Sequence, residues 1–218
     1  EISRCPRVIS SPSQLDEYWK FADEFEFSDT EDQYIATKKI AEDLQKDTPM
    51  DRLLVGDVGF GKTEIGMRAA FAVANSGMQV ALLAPTTILA NQHLKVFTER
   101  FKNYPFKIAL LSRLQSVPER REIIDSLERG KIDILIGTHA ILSSDVKFKE
   151  LGLLIVDEEQ KFGVRQKEKL KGRRIDTHVL SMTATPIPRT LNLSLIGVRD
   201  ISVLAIPPLG RREIKNEF

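Results

Sequence analysis

Eight residues, Gly56-Asp57-Val58-Gly59-Phe60-Gly61-Lys62-Thr63, constrain this chain more than any other stretch. Apolar Leu53-Leu54-Val55 precede them and a helical pattern over Lys62–Asn75 follows. A strand that turns through glycines straight into a helix lets backbone N–H groups converge on one point. The helix N-terminus adds its dipole there. The spacing is G-x-x-x-x-G-K-[ST], in which a lysine reaches the β- and γ-phosphates of a nucleotide and a hydroxyl ligates Mg²⁺. Lys62 and Thr63 fill those places. The expected nucleotide contacts are therefore Gly56, Asp57, Val58, Gly59, Phe60, Gly61, Lys62, Thr63 and the adjoining Glu64.

The rest of the chain fits one surrounding architecture. Apolar runs at Arg52–Val55, Val80–Ala84, Lys107–Leu111, Asp133–Ile136, Leu153–Val156 and Val179–Met182 read as buried strands. Helical patterns lie between them, near Tyr34–Gln45, Ile88–Phe101 and Pro118–Arg129. Apolar strands alternating with helices predict an α/β fold with a mostly parallel central sheet covered on both faces. Ligands of such sheets bind beyond the carboxyl ends of the strands.

A second motif meets that requirement. Leu153-Leu154-Ile155-Val156 run into Asp157-Glu158-Glu159-Gln160. The strand delivers Asp157 to its carboxyl end, where it can hold Mg²⁺ with Thr63. Glu158 is then placed to polarise an attacking water. Lys62, Asp157 and Glu158 are the expected catalytic residues, and Glu159 also fits a solvated acidic turn.

Composition bears on partners. Lys plus Arg number 32 and Asp plus Glu 31, which excludes a histone-like polybasic binder but not a local basic track. From Asp16 to Asp32 there are eight acidic residues against Lys20 alone. Leu15, Tyr18, Trp19, Ala22 and Phe25 in that arm recur at mostly helical steps, the stripe of a short helix packed on a neighbour. Between Lys161 and Arg174, seven basic residues face one acidic one, which fits either a patch near DNA or a solvated surface. The single Cys5 excludes an internal disulfide framework, and no apolar run reaches the roughly 18 residues of a membrane span. The chain begins at Glu1 and so is expected to be cut from a longer one.

These motifs together resemble the superfamily 2 helicases and translocases. Ala84-Pro85-Thr86-Thr87 with Leu89 and Gln92-His93 resembles motif Ia, Ile136–Ala140 motif Ib, and Ser181-Met182-Thr183-Ala184-Thr185-Pro186 motif III. The continuation Ile187-Pro188-Arg189-Thr190 is similar to that of the RecG-type branched-DNA helicases and of the bacterial transcription-repair coupling factors. The wording Gly56–Glu64 with Met67–Phe71, and Asp157-Glu158-Glu159, lean toward the coupling factors. Gln160-Lys161 departs from the His-Arg common among relatives.

The resemblance implies a RecA-like ATP-binding domain over residues 34–206. An arm over 1–33 would carry an adenine-reading element with Phe27 and Gln33, and 207–218 would be a linker toward a second RecA-like lobe. It implies ATP and Mg²⁺ as cofactors, with Thr63 and Asp157 on the metal. It implies a double-stranded DNA backbone as partner at Thr86, Thr87, Arg113, Thr138 and His139. Read singly, these threonines fit helix caps equally well. Coupling between the ATP and DNA sides would fall to Gln160, Arg165, Thr183 and Thr185, with the two threonines bonding Asp157 or Glu158. The implied activity is ATP-driven translocation that displaces stalled RNA polymerase in DNA repair. Polymerase and nucleotide-excision-repair proteins would bind through domains absent here, in the bacterial cytoplasm and with no membrane partner. The alternatives are the lobe of a RecG-type helicase and a nucleotide-gated module that does not hydrolyse. An arginine from the second lobe would contribute about 10³–10⁵ to the rate, so the isolated chain is expected to be nearly inactive.

Overall fold

The computed structural model describes residues 5, 7–163, 166, 177–185 and 199–208. Its centre is a sheet of seven parallel strands: β1 (Asp51–Gly56), β2 (Gln79–Leu83), β3 (Ile108–Leu111), β4 (Ile134–Gly137), β5 (Leu151–Asp157), β6 (His178–Thr183) and β7 (Asp200–Leu204). Their spatial order is β3-β4-β2-β5-β6-β1-β7. Parallel strands place every carboxyl end on one edge, so all the motifs read above emerge there.

Among the described residues, five α-helices cover the sheet: α1 (Pro12–Asp23), α2 (Glu31–Leu44), α3 (Lys62–Asn75), α4 (Thr87–Arg100) and α5 (Val117–Glu128). Alternation along the strands splits the core in two. Leu153 and Ile155 of β5 join the cluster under α1 to α4, while Leu154 and Val156 join a second cluster with Leu127, Ile141 and Phe162. β5 therefore has no polar face, as a doubly covered sheet requires.

Local chemistry sets the helix ends. Thr30 caps α2 by accepting the Gln33 N–H, and the Gln33 side chain bonds back to the Thr30 N–H, a reciprocal capping box. It moves the start of α2 to Glu31, ahead of the Tyr34 expected from periodicity. Ser116 and Glu119 make the same box on α5. In the acidic arm, Tyr18 and Phe21 are fully buried and the Tyr18 hydroxyl donates to the Thr37 carbonyl at 3.0 Å. Phe21 fills the place in the stripe that periodicity assigned to Phe25, because α1 ends at Asp23 and Phe25 falls beyond it.

A buried ion network ties the arm down. The Arg68 guanidinium, 1% exposed, bonds both carboxylate oxygens of Asp29 at 2.6 and 2.9 Å, the Thr37 hydroxyl and Glu64. Burial acts to lower the Arg68 pKa, but Asp29 and Glu64 outweigh it and raise the pKa above its ordinary value. Arg100 from α4 bonds Glu64 and the Phe21 carbonyl.

β7 is absent from the sequence reading. It is an edge strand with Ser202 and Leu204 buried and Val203 exposed, so it lacks the continuous apolar run of the inner strands. Arg165 and the other basic residues of 161–174 after Lys161 lie outside the described residues, as do Pro186–Thr190 and 209–218.

Candidate nucleotide site and backbone-contact loops

The phosphate loop links β1 to α3. Gly59 and Gly61 both take φ of +80°, the left-handed region where a side chain is strained. Gly56 is glycine for another reason: a Cβ there would lie 2.9 Å from the Cβ of Leu204 on β7. Gly61 caps α3 without a side-chain bond, so the first N–H groups of that helix remain for an anion. Lys62 folds over the loop, its Nζ donating to the Gly56 carbonyl at 2.6 Å and the Asp57 carbonyl at 2.9 Å. Burial holds the Lys62 pKa below its ordinary value, against the opposing pull of Glu158, Asp157 and Asp57. Asp57 Oδ1 accepts the Val58 N–H at 2.7 Å, leaving Val58 67% exposed.

Two expected nucleotide contacts sit differently. Glu64 is buried on the far side of α3, where Arg68 and Arg100 hold its carboxylate. Its position in the motif says nothing of the helical turn that points it there, so its side chain is a strut of the arm and not a phosphate contact. Gln33 is buried and braces the loop, its Nε2 donating to the Phe60 carbonyl at 3.0 Å. A Cβ on Gly61 would meet that same nitrogen at 2.4 Å. Phe27, by contrast, is 57% exposed and meets the Phe25 ring edge-on.

Two strands away in the sheet, β5 ends in the acidic turn. Asp157 Oδ2 lies 2.7 Å from His93 Nε2, and an ionised carboxylate only accepts, so the ring nitrogen is the donor. Glu158 has φ +51°, the one non-glycine with positive φ among the described residues. Three contacts hold that conformation. The Glu158 N–H donates to the Met182 carbonyl at 2.8 Å, Oε1 accepts the Ala184 N–H at 3.2 Å, and Oε2 accepts the Gln160 amide. Gln160 Oε1 accepts the Thr183 hydroxyl at 3.1 Å, and Thr183 pairs with the Thr185 hydroxyl at 2.7 Å. The motif III threonines thus reach Glu158 through Gln160, one side chain further than the direct bond expected. Glu159 is no solvated turn residue: Arg199 binds it at 2.9 Å while also bonding Asp51 and Ser181.

Thr63 is the second residue of α3 and Asp157 ends β5, an all-oxygen hydroxyl-and-carboxylate donor set of the kind that suits Mg²⁺ held jointly with phosphates.

The other end of the sheet carries the loops expected to touch DNA. Thr86 is exposed and caps α4 by accepting the Leu89 N–H at 3.2 Å. Thr87 is half-buried, and exposed Arg113 after β3 bonds the half-buried His139 ring after β4. Thr138 departs from the expectation: it is 4% exposed beneath the turn at His139–Leu142, because its carbonyl accepts the Ile141 N–H and folds the chain over it. Little of the residue's surface is left for a phosphodiester chain.

The edge therefore divides. β1, β5 and β6 carry the phosphate loop, the acidic turn and motif III; β2, β3 and β4 carry Thr86, Thr87, Arg113 and His139. The residues that sequence reasoning left without a role are His93, Arg199 and Glu159. For His93 a signal existed: it lies on the stripe of α4 with Ala90 and Phe97, both fully buried, and a polar group on such a face needs a partner.

A strand–phosphate loop–helix unit, an acidic strand end and motif III on one edge of a parallel sheet define an ATP-binding helicase core, and the chain belongs to the DEAD/DEAH box helicase family, whose model matches residues 30–193. Among curated proteins it is similar to the transcription-repair-coupling factor of Myxococcus xanthus, 55% identical over 208 residues, covering 95% of this chain and 17% of that protein. The coupling factor of Escherichia coli K12 is 52% identical over 200 residues, covering 92% and 17%. The chain thus spans about a sixth of the length of these relatives. Among solved structures, RecG bound to a three-way DNA junction superposes with a TM-score of 0.81 at 36% identity, covering 97% of this chain and 27% of RecG. The DUF1998 helicase MrfA shares the fold, with a TM-score of 0.63 at 17% identity.

Proposed function

We propose that this chain is the ATP-binding motor lobe of a double-stranded DNA translocase that displaces stalled RNA polymerase in transcription-coupled repair. The observation that carries the reading is the divided sheet edge. Residues suited to ATP occupy one half and backbone-contact residues the other, within a chain far more identical to coupling factors (55%) than to RecG (36%).

Lys62 exchanges the Gly56 and Asp57 carbonyls for phosphate oxygens as the loop receives ATP. The α3 N-terminus and the N–H groups around Gly59 and Gly61 complete the cradle. Thr63 and Asp157 would hold Mg²⁺, which would supply charge neutralisation at the phosphates. Glu158 accepts a proton from the attacking water, and its unusual backbone aims the carboxylate. Thr86, Thr87 and Arg113 hold the phosphodiester backbone without reading bases. A second lobe, polymerase and repair proteins would belong to a longer protein, of which this chain matches about a sixth in its relatives.

The test is release of an RNA polymerase stalled on duplex template by the full-length gene product with ATP. Release that needs ATP supports the reading. Retention of the polymerase, alongside hydrolysis stimulated only by branched DNA, assigns the lobe to the RecG-type function instead.

A further inference from the structure

The two halves of the sheet edge meet at the β2–β5 boundary, and one side-chain contact crosses it there: His93 to Asp157 at 2.7 Å. Both groups are screened from water, with side chains 8% and 13% exposed, so the bond does not compete with bulk solvent. His93 rides on α4, whose capping residue is Thr86 and whose first residue is Thr87. It lies six residues past Thr87, about 9 Å along the helix axis at 1.5 Å per residue. The ring is wedged edge-on against Phe97, with centroids 6.4 Å apart, and 6% of the residue remains exposed. A short rigid helix thus holds candidate backbone contacts at one end and a carboxylate anchor in its second turn.

We propose that His93 is a positioning residue for Asp157. By holding Oδ2 it fixes the carboxylate plane and so orients Oδ1 toward Thr63 for Mg²⁺. Because α4 carries it, the orientation follows the placement of Thr86 and Thr87. This regulation rests on the translocase reading, whereas the positioning of Asp157 stands apart from it. Partners of this kind behind a metal ligand contribute about 10–100-fold to metal affinity.

The geometry specifies the test, because only Nε2 makes the bond. His93→Gln keeps an N–H donor at the reach of Nε2, and His93→Asn places it at the shorter reach of Nδ1. Both substitutions are polar and neither adds bulk, so a general packing defect affects them alike. The experiment follows binding of a fluorescent ATP analogue to the full-length gene product as Mg²⁺ is titrated, with a parallel series in EDTA. The expected result is a half-saturating Mg²⁺ concentration about tenfold higher for His93→Asn, within about threefold of wild type for His93→Gln, and unchanged binding in EDTA for both. Equal behaviour of the two variants, or an Asn defect that persists in EDTA, overturns the positioning role. A further arm compares ATP hydrolysis with and without duplex DNA. Wild-type hydrolysis indifferent to DNA removes the translocase reading and leaves the Mg²⁺ result standing. DNA stimulation that is full in wild type and in His93→Asn removes the link through α4.

Discussion

The phosphate loop and the acidic turn share one half of the sheet edge but are built by different means. The loop is a backbone device: Gly59 and Gly61 take positive φ without strain, and the groups that would meet phosphate are main-chain N–H groups and the α3 terminus. The acidic turn is a side-chain device. Glu158 sits at positive φ without being glycine, held there by bonds its carboxylate accepts from Ala184 and Gln160 and one its N–H donates to the Met182 carbonyl. A non-glycine in that region costs on the order of 1–3 kcal/mol, and it persists only where the surroundings over-determine it. The loop is therefore expected to govern affinity and the turn to govern rate.

Glu158→Gln separates the two most sharply. In the full-length gene product, ATP hydrolysis is expected to fall about 10²–10⁴-fold, the contribution of a general base, while binding of an ATP analogue holds. Loss of binding together with rate would erase the distinction.

Behind the loop, Arg68→Met tests the support shared by α3 and the arm. It leaves Asp29 and Glu64 without their buried cation, for an expected loss of about 3–5 kcal/mol in chemical denaturation. A change below about 1 kcal/mol would show that the network is solvated in practice.

Gly61→Ala strikes the loop itself. The new Cβ meets Gln33 Nε2 and sits at φ +80°, so about 1–3 kcal/mol of stability is expected to go, with nucleotide affinity falling as well. Unchanged affinity with reduced turnover would assign the loop to rate instead.

The smallest effect belongs to Thr183→Val, which removes the hydroxyl between Gln160 and Thr185. Stability is expected to drop by about 1 kcal/mol, and turnover to fall while analogue binding is retained. A drop in binding with turnover intact would reverse the assignment of motif III to the rate side.

The same contrast explains what the sequence makes legible. Backbone devices leave periodic and spacing signals. The glycine spacing located the loop, and α3 runs over Lys62–Asn75 as its pattern predicts. Apolar runs located β1 to β6, the edge strand β3 among them, while β7, with only alternate residues buried, left no such run. Side-chain devices depend on which way a residue points after packing. Glu64 belongs to the motif by position but turns away to Arg68 and Arg100, and Thr138 lies under its own turn. Arg199 reaches Glu159 from 40 residues away, a pairing that no local pattern records. His93 was the partial exception, a polar residue on a buried helical face whose partner only the fold could name.

The claim beneath all of this is that one sheet edge joins an ATP half to a DNA half. Steady-state ATP hydrolysis by the full-length gene product, with and without duplex DNA, tests it most directly. The account predicts hydrolysis that rises on adding duplex DNA and loses that rise when Thr86, Thr87 and Arg113 are replaced by alanine. Hydrolysis at the same rate with and without DNA, or a DNA response that survives those replacements intact, would contradict it.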